Sequence, residues 1–331
     1  MAEQRIRVEV EGQSLELSNL DKVLYPAAGF TKGEIINYYT RVAPALLPHL
    51  RDRALTRIRF PNGVDGQSFF EKNKPGGTPE WVRVETMPVP GSTKDRETID
   101  YVVADDLPTL VWLANLAALE LHTPQWRIGN AAGLAGSGPR SAATRPDDAG
   151  RSGRSASEVS AAGMAPDLMV VDLDPGAPAG LRECCAVAVL MRDRLAQDGL
   201  TAYPKTSGKK GMQLSCPIAG TQTAEEVSAY AKRIAEELER DTPKSITSKM
   251  TKRLRSGKVF IDWSQNSAAK TTVAPYSLRA QATPTVSTPL TWEEVEEGGA
   301  RAFTPEEVLE RVEEYGDLLE DLLTPGPSLP G

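Results

Sequence analysis

The sequence predicts an α/β or α+β architecture, and three observations carry that expectation. Apolar, β-branched runs alternate with helical patterns on both sides of a Gly/Ala/Ser/Arg tract. Two of those runs, ending at Asp172-Leu173-Asp174 and at Asp262, finish on aspartates. At 331 residues the chain is long enough to bury a full core.

The elements follow in order. Residues 5–17 alternate (Ile6, Val8, Val10, then Leu15, Leu17) around Gly12-Gln13, a hairpin pattern. Thr31-Lys32-Gly33-Glu34 is a capping box that opens a helix to about Leu47. Short strands are expected near 55–60 and 68–71, the second exposing Phe69 and Phe70 beside Lys72 and Lys74. Residues 72–96, rich in Pro, Gly and charge, read as a mobile loop, and 99–103 as a strand leading into a helix over 107–121. Residues 129–166 have almost no large apolar side chains and are expected to be a flexible insertion. Beyond it come the strand 168–174, a helix at 180–197, strands near 201–205 and 211–216, a helix at 223–240 and the strand 259–262. No internal repeat is visible.

Charge is unevenly placed. Residues 291–331 hold twelve acids against Arg301 and Arg311, so an acidic helical tail at −10 follows a body, residues 1–290, at +3. Only local patches of such a body bear on polyanion binding. Cys184, Cys185 and Cys216 lack zinc-ligand spacing, which fits a reducing cytoplasm. The N-terminus has no apolar signal core and the longest apolar pattern is too short for a bilayer, so no membrane role is expected.

Asp172 and Asp174, two residues apart on a strand, share one face, and Pro175-Gly176 stops that strand. Two carboxylates held so close repel unless a cation lies between them, and hard oxygen ligands suit Mg²⁺ or Mn²⁺. The plainer reading of such a pair is a turn bracket or a helix cap. Asp262 ends a second apolar strand as either a third ligand or a strand cap. Lys205-Thr206-Ser207-Gly208-Lys209-Lys210-Gly211, between two strands, offers N–H groups, hydroxyls and ammonium groups to a triphosphate, or is only a lysine-decorated hairpin turn. Six basic residues and no acid lie between Lys244 and Ile261, a phosphate-binding stretch or a solvated face. His122 reads on its own as a helix C-cap, and Phe69 and Phe70 as core residues or base-stacking platforms.

Taken together, these blocks resemble the primase-polymerase domain of the archaeo-eukaryotic primase superfamily, in the form fused to bacterial ATP-dependent DNA ligase D. They are Asn19-Leu20-Asp21-Lys22-Val23-Leu24-Tyr25-Pro26, Arg59-Phe60-Pro61-Asn62-Gly63-Val64, Phe69-Phe70-Glu71-Lys72 and Leu119-Glu120-Leu121-His122-Thr123-Pro124-Gln125-Trp126. They continue through Asp172-Leu173-Asp174-Pro175-Gly176, Thr206-Ser207-Gly208-Lys209-Lys210-Gly211 and Asp262-Trp263-Ser264-Gln265-Asn266 to Ala274-Pro275-Tyr276-Ser277-Leu278-Arg279. The resemblance implies an α+β chain with the primase fold, central twisted β-sheets with an RRM-like catalytic core flanked by helices. Residues 1–290 would form the catalytic domain, comprising a DNA-gripping half over 1–128, the insertion over 129–166 and the core over 167–290.

It further implies a template-dependent nucleotidyl transferase that fills short gaps or break ends in DNA repair. Two Mn²⁺ or Mg²⁺ ions would be held by Asp172, Asp174 and Asp262. The incoming NTP or dNTP, with ribonucleotides preferred, would be held by His122, Ser207, Lys210, Gln213, Arg255, Gln265, Lys270 and Arg279. Asn19, Lys22 and Lys32 would grip a 5′-phosphate, and Phe69 and Phe70 would stack on bases. The DNA partner would be gapped or broken and carry a 5′-phosphate, in end joining or excision repair at the nucleoid. The sequence has no Lys-x-Asp-Gly ligase motif, so a stand-alone polymerase serving a separate ATP-dependent ligase, with Ku as another partner, is expected.

Three departures stand out. Gln213 replaces a usual histidine, Ile58 lies between Arg57 and Arg59 where relatives commonly have a basic residue, and the 129–166 tract is long. A non-catalytic DNA-end bridge and an Asp-x-Asp glycosyltransferase remain as other readings. Primer extension and nucleotide-sugar binding without DNA would separate them.

Overall fold

The computed structural model describes residues 5–88, 98–129 and 164–331. β1 (Arg5–Val10) and β2 (Gln13–Ser18) form the expected hairpin, turning through Glu11 and Gly12 at positive φ. β3 (Val23–Tyr25) pairs with β4 (Phe30–Thr31), which delivers Thr31 to the N-terminus of α1 (Lys32–Leu50). The capping box is complete, with the Thr31 hydroxyl accepting from the Glu34 N–H and the Glu34 carboxylate accepting from the Thr31 N–H.

β5 (Thr56–Arg59) and β6 (Phe69–Glu71) follow. The expected loop over 72–96 contains a strand instead: β7 (Val84–Pro88) pairs antiparallel with β8 (Thr98–Val102). The alternation Val82-Val84-Thr86 that makes this strand was hidden by flanking Pro and charge. Residues 89–97 lie outside the described residues.

A second correction concerns 107–121. α2 (Leu107–Asn115) stops at Asn115, Ala117 takes the left-handed conformation (φ 57°), and β9 (Ala118–Thr123) follows. An apolar run such as Leu116–Leu121 fits either period, so patterning alone could not divide it. His122 is therefore a strand residue and not a helix C-cap. The Asn115 side chain anchors the helix end by donating to the Glu16 carbonyl and accepting from the Ser18 N–H.

Next come β10 (Leu168–Pro175), α3 (Leu181–Gln197), β11 (Tyr203–Thr206), β12 (Met212–Pro217), α4 (Ala224–Asp241), β13 (Ile246–Thr247) and β14 (Val259–Asp262). These make a five-stranded sheet ordered β11-β12-β10-β14-β13, antiparallel except for β13 with β14. Met169, Val171 and Leu173 are buried on the side where α3 packs, and each fully buried Val or Leu there contributes roughly 1.5–3 kcal/mol. Asp172 and Asp174 consequently face the other way.

β15 (Thr272–Val273), β9, β5 and β6 build a second, antiparallel sheet of four strands. β16 (Leu278–Arg279) pairs with β17 (Thr285–Val286). The acidic segment forms α5 (Trp292–Glu296) and α6 (Pro305–Tyr315), whose Val295, Val308 and Leu309 join the main core. Most of the expected insertion, 130–163, lies outside the described residues. Among the described residues no helix is long and apolar enough to cross a membrane.

Candidate active site

The register of the five-stranded sheet builds the site. Asp172 on β10 stands directly opposite Asp262 on β14 and, on its other side, opposite Gln213 on β12, which in turn is opposite Lys205 on β11. Cross-strand partners share a face, so Lys205, Gln213, Asp172 and Asp262 form one row, with Asp174 two residues further along β10. β14 ends at Asp262, and the Asn266 amide continues its pairing by exchanging hydrogen bonds with both backbone groups of Val170 at 2.8 Å.

Each carboxylate has its own partner. Gln213 Nε2 donates to Asp172 Oδ1 at 2.9 Å. Arg255 Nη1 lies 3.1 Å from Asp174 Oδ2 and is stacked over the Phe260 ring. Asp262 accepts from the Ser264 N–H and hydroxyl through Oδ1 and from Gln265 Nε2 through Oδ2. Lys270 reaches this group indirectly, donating to Ser264 Oγ. Among the described residues no three His, Cys, Asp or Glu side chains are gathered to hold a metal ion. The backbone aligns the three aspartates on one face, and these separate partners hold their oxygens apart. Burial, opposed by Gln213 and reinforced by Asp262 and Asp174, pushes the Asp172 carboxyl up to about 6. As a donor set, three carboxylates supply the hard oxygens that suit Mg²⁺ or Mn²⁺.

The Ser207–Gly211 turn is organised by the Ser207 hydroxyl, which accepts from the N–H groups of Lys209 and Gly211. Gly208 holds a positive φ (69°) pressed against Arg279 and Val286, where any side chain would collide. Lys209 reaches inward, 3.0 Å from Glu120, whereas Lys210 is exposed with no partner among the described residues.

Glu120 is the residue that sequence reasoning missed. It is 1% exposed on β9 and gathers His122 at 3.0 Å, Lys209, Arg279 at 3.5 Å and the Ala280 N–H. Burial alone would raise its carboxyl, but the His122 hydrogen bond and the two cations hold it down at about 2. Its signal was a lone acid inside an apolar stretch. Burial lowers the affinity of His122 for a proton despite Glu120. Arg279, also buried, leaves Nε without a hydrogen bond, as does Arg255. Of the two, Arg279 lies against the turn at Gly208, whereas Arg255 is tied to Asp174 and to the Met250 carbonyl.

The 5′-phosphate candidates also come together. The Lys22 N–H donates to the Asn19 carbonyl, Lys32 N–H to the Lys22 carbonyl, and Lys32 Nζ to Ser18 Oγ at 3.3 Å, all beside the start of α1. Asn19 takes φ 54° to make this turn, and Asn62 joins it by accepting from Lys22 Nζ. Phe69 and Phe70 are 39% and 60% exposed on the edge strand β6. Arg57 and Arg59, by contrast, are engaged internally with Glu71, and Ile58 between them packs against the core.

The model of the primase-polymerase domain of LigD matches residues 31–319. The chain belongs to this family. Its members are DNA-directed nucleotidyltransferases with the archaeo-eukaryotic primase fold, which sets aside the glycosyltransferase reading. The chain is 39% identical over 315 residues to the multifunctional non-homologous end joining protein LigD of Mycolicibacterium smegmatis, covering 95% of this chain and 37% of that protein. It is 41% identical to the Mycobacterium tuberculosis H37Rv counterpart, over 95% of this chain and 38% of the relative, and 32% identical to the bifunctional LigD of Bacillus subtilis, over 91% and 43%. The chain thus spans less than half the length of these curated relatives. A solved structure of the polymerase domain from Mycobacterium tuberculosis ligase D in complex with DNA is similar at a TM-score of 0.79 and 41% identity, covering 93% of this chain and 98% of that one.

Proposed function

We propose that this primase-polymerase extends a primer strand across short gaps or at broken ends of DNA in non-homologous end joining, with a downstream 5′-phosphate as its anchor and ribonucleotides preferred. The observation that carries this reading is the register of β10 and β14, which puts Asp172, Asp174 and Asp262 on one face. In the reaction the primer 3′-oxygen bonds to the α-phosphorus as the α–β bridge breaks and pyrophosphate leaves. Two divalent cations, Mn²⁺ or Mg²⁺, when bound at the three aspartates, would neutralise phosphate charge and acidify the attacking hydroxyl.

The chain's own groups supply the rest. Ser207, Arg255, Arg279 and Lys210 would hold the triphosphate, with Lys209 released from Glu120 to join them. His122, Gln213, Gln265 and Lys270 would orient the nucleotide and the carboxylates around it. Cationic groups fixed beforehand need little reorganisation as charge develops on the leaving pyrophosphate. Asn19, Lys22 and Lys32 would bind the 5′-phosphate, and Phe69 and Phe70 would stack on exposed bases, a contact worth about 1–3 kcal/mol per base. Nicks left after filling would pass to an ATP-dependent ligase activity, with Ku as an end-holding partner.

The test is extension on a short-gap substrate with Mn²⁺, with and without the downstream 5′-phosphate, comparing rNTPs with dNTPs. Extension that depends on the phosphate and runs faster with rNTPs supports the proposal. DNA binding with no extension would favour an end-bridging role instead.

A further inference from the structure

Lys205 is 2% exposed, takes no part in the contacts proposed above, and closes the cross-strand row that contains Asp172. Its ammonium group has three acceptors, Gln213 Oε1 at 2.5 Å, Ser287 Oγ at 2.7 Å and the Val273 carbonyl at 3.0 Å. Three acceptors match the three N–H bonds of an ammonium, the condition on which a buried charge is tolerated.

The Gln213 contact determines what Asp172 meets. A primary amide can turn either its oxygen or its nitrogen toward a neighbour. With Oε1 taken by Lys205, Nε2 faces β10 and donates to Asp172 Oδ1 at 2.9 Å. Turned over, the amide oxygen would face a carboxylate oxygen and the NH₂ group would face an ammonium, repulsive on both sides. Asp172 Oδ1 is therefore held, and Oδ2 is the oxygen with no hydrogen bond among the described residues.

We propose that Lys205 is a positioning residue for divalent-cation binding, fixing through the Gln213 amide which oxygen of Asp172 is tied and which is free to meet the cation. This rests on the cation-dependent reading of the site given above. It also gives the uncharged Gln213 a source of polarisation, because the positive charge of the row sits one strand further out. Partners that hold a metal-ligating carboxylate typically matter by about 10–100-fold in metal affinity.

Lys205 also ties the catalytic sheet to β15 and to the segment just after β17, so a role in stability alone must be separated from positioning. The experiment uses the full chain in four forms, wild type, Lys205→Met, Gln213→Met and the double variant. For each, Mn²⁺ affinity is titrated by the loss of the free-ion EPR signal, without nucleotide or DNA, and the thermal midpoint is recorded. Binding of gapped DNA carrying a 5′-phosphate checks the distant site.

The expected result is that each single change weakens Mn²⁺ binding about tenfold and that the double change weakens it no further. The double variant should regain part of the stability lost by the singles, since removing both partners leaves fewer groups unpaired. DNA binding should be unchanged throughout. Mn²⁺ affinity at the wild-type level in Lys205→Met, losses that add in the double variant, or affinity that merely follows the thermal midpoint would each overturn the proposal. If Lys205→Met does not fold, the double variant against Gln213→Met carries the same comparison, and a further loss there overturns it. A wild-type protein that binds no Mn²⁺ would instead remove the cation reading itself, and the Lys205 role with it.

Discussion

Asp172 carries a carboxylate where burial and two neighbouring carboxylates oppose its ionisation, and its pKa of about 6 makes that a stability statement as well as a functional one. The folded pKa lies above the unfolded value near 3.9, so the folded state holds its proton more tightly and stability falls as pH rises between those values. Asp172→Asn removes the charge while keeping an acceptor for Gln213. In metal-free buffer it should raise the thermal midpoint by a few degrees above pH ~6, and the gain should vanish as pH falls toward ~4. Thermal melts across that range check the sign. At this scale the sequence was informative about charged side chains in short patterns, such as Asp172-Leu173-Asp174 and the Ser207–Gly211 turn. It was silent on Glu120, whose role depends on His122 of β9 and on two cations, Lys209 of the turn and Arg279 of β16. Nothing local to 118–123 announces those partners.

The elements that carried their own terminators were predictable. Thr31, Thr223, Thr291 and Thr304 each open a helix with a complete capping box, a signal written in four consecutive residues. The α2–β9 boundary had no such mark, because its break is Ala117 in the left-handed region, a conformation sequence rarely reveals for alanine. β7 was obscured for a similar reason, since its pairing with β8 is decided across the intervening residues. One prediction belongs here. Thr31 both caps α1 and sets the chain direction that brings Lys32 beside Ser18. Thr31→Ala should cost about 1 kcal/mol in denaturant unfolding. It should also weaken binding to gapped DNA with a 5′-phosphate more than to the same DNA without it, measured by fluorescence anisotropy.

Across the whole molecule, the acidic 291–331 segment packs into the core and pairs several of its carboxylates with cationic side chains, a long-range outcome that the charge count could not express. Arg41 meets Glu306, Arg192 meets Glu296, and Arg311 pairs with Glu294. Near its end Asp317 accepts from His49 Nε2 at 2.7 Å and from the Tyr276 hydroxyl at 2.6 Å, joining this segment to α1 and to the strand region before β16. Burial would raise the Asp317 carboxyl, but His49 and Tyr276 outweigh it and hold it below its ordinary value. A depressed folded pKa means that this stabilisation is present above pH ~4 and is lost as pH falls through the lower folded value. Asp317→Asn should therefore destabilise by about 2 kcal/mol at pH 7, with the difference shrinking under acid, as urea melts at both pH values would show.

At the same scale, the proposed function rests on one sheet, whose neighbouring strands β10 and β14 would bring their aspartates to act together on phosphoryl transfer, with a separate grip on the DNA. The most direct measurement is primer extension over a short gap by an Asp172→Ala, Asp174→Ala double variant, alongside its affinity for the same 5′-phosphorylated DNA. Extension should disappear while gap binding stays within about twofold of wild type, since the Asn19–Lys22–Lys32 cluster is untouched. Extension retained at a rate near that of the wild type would contradict the account.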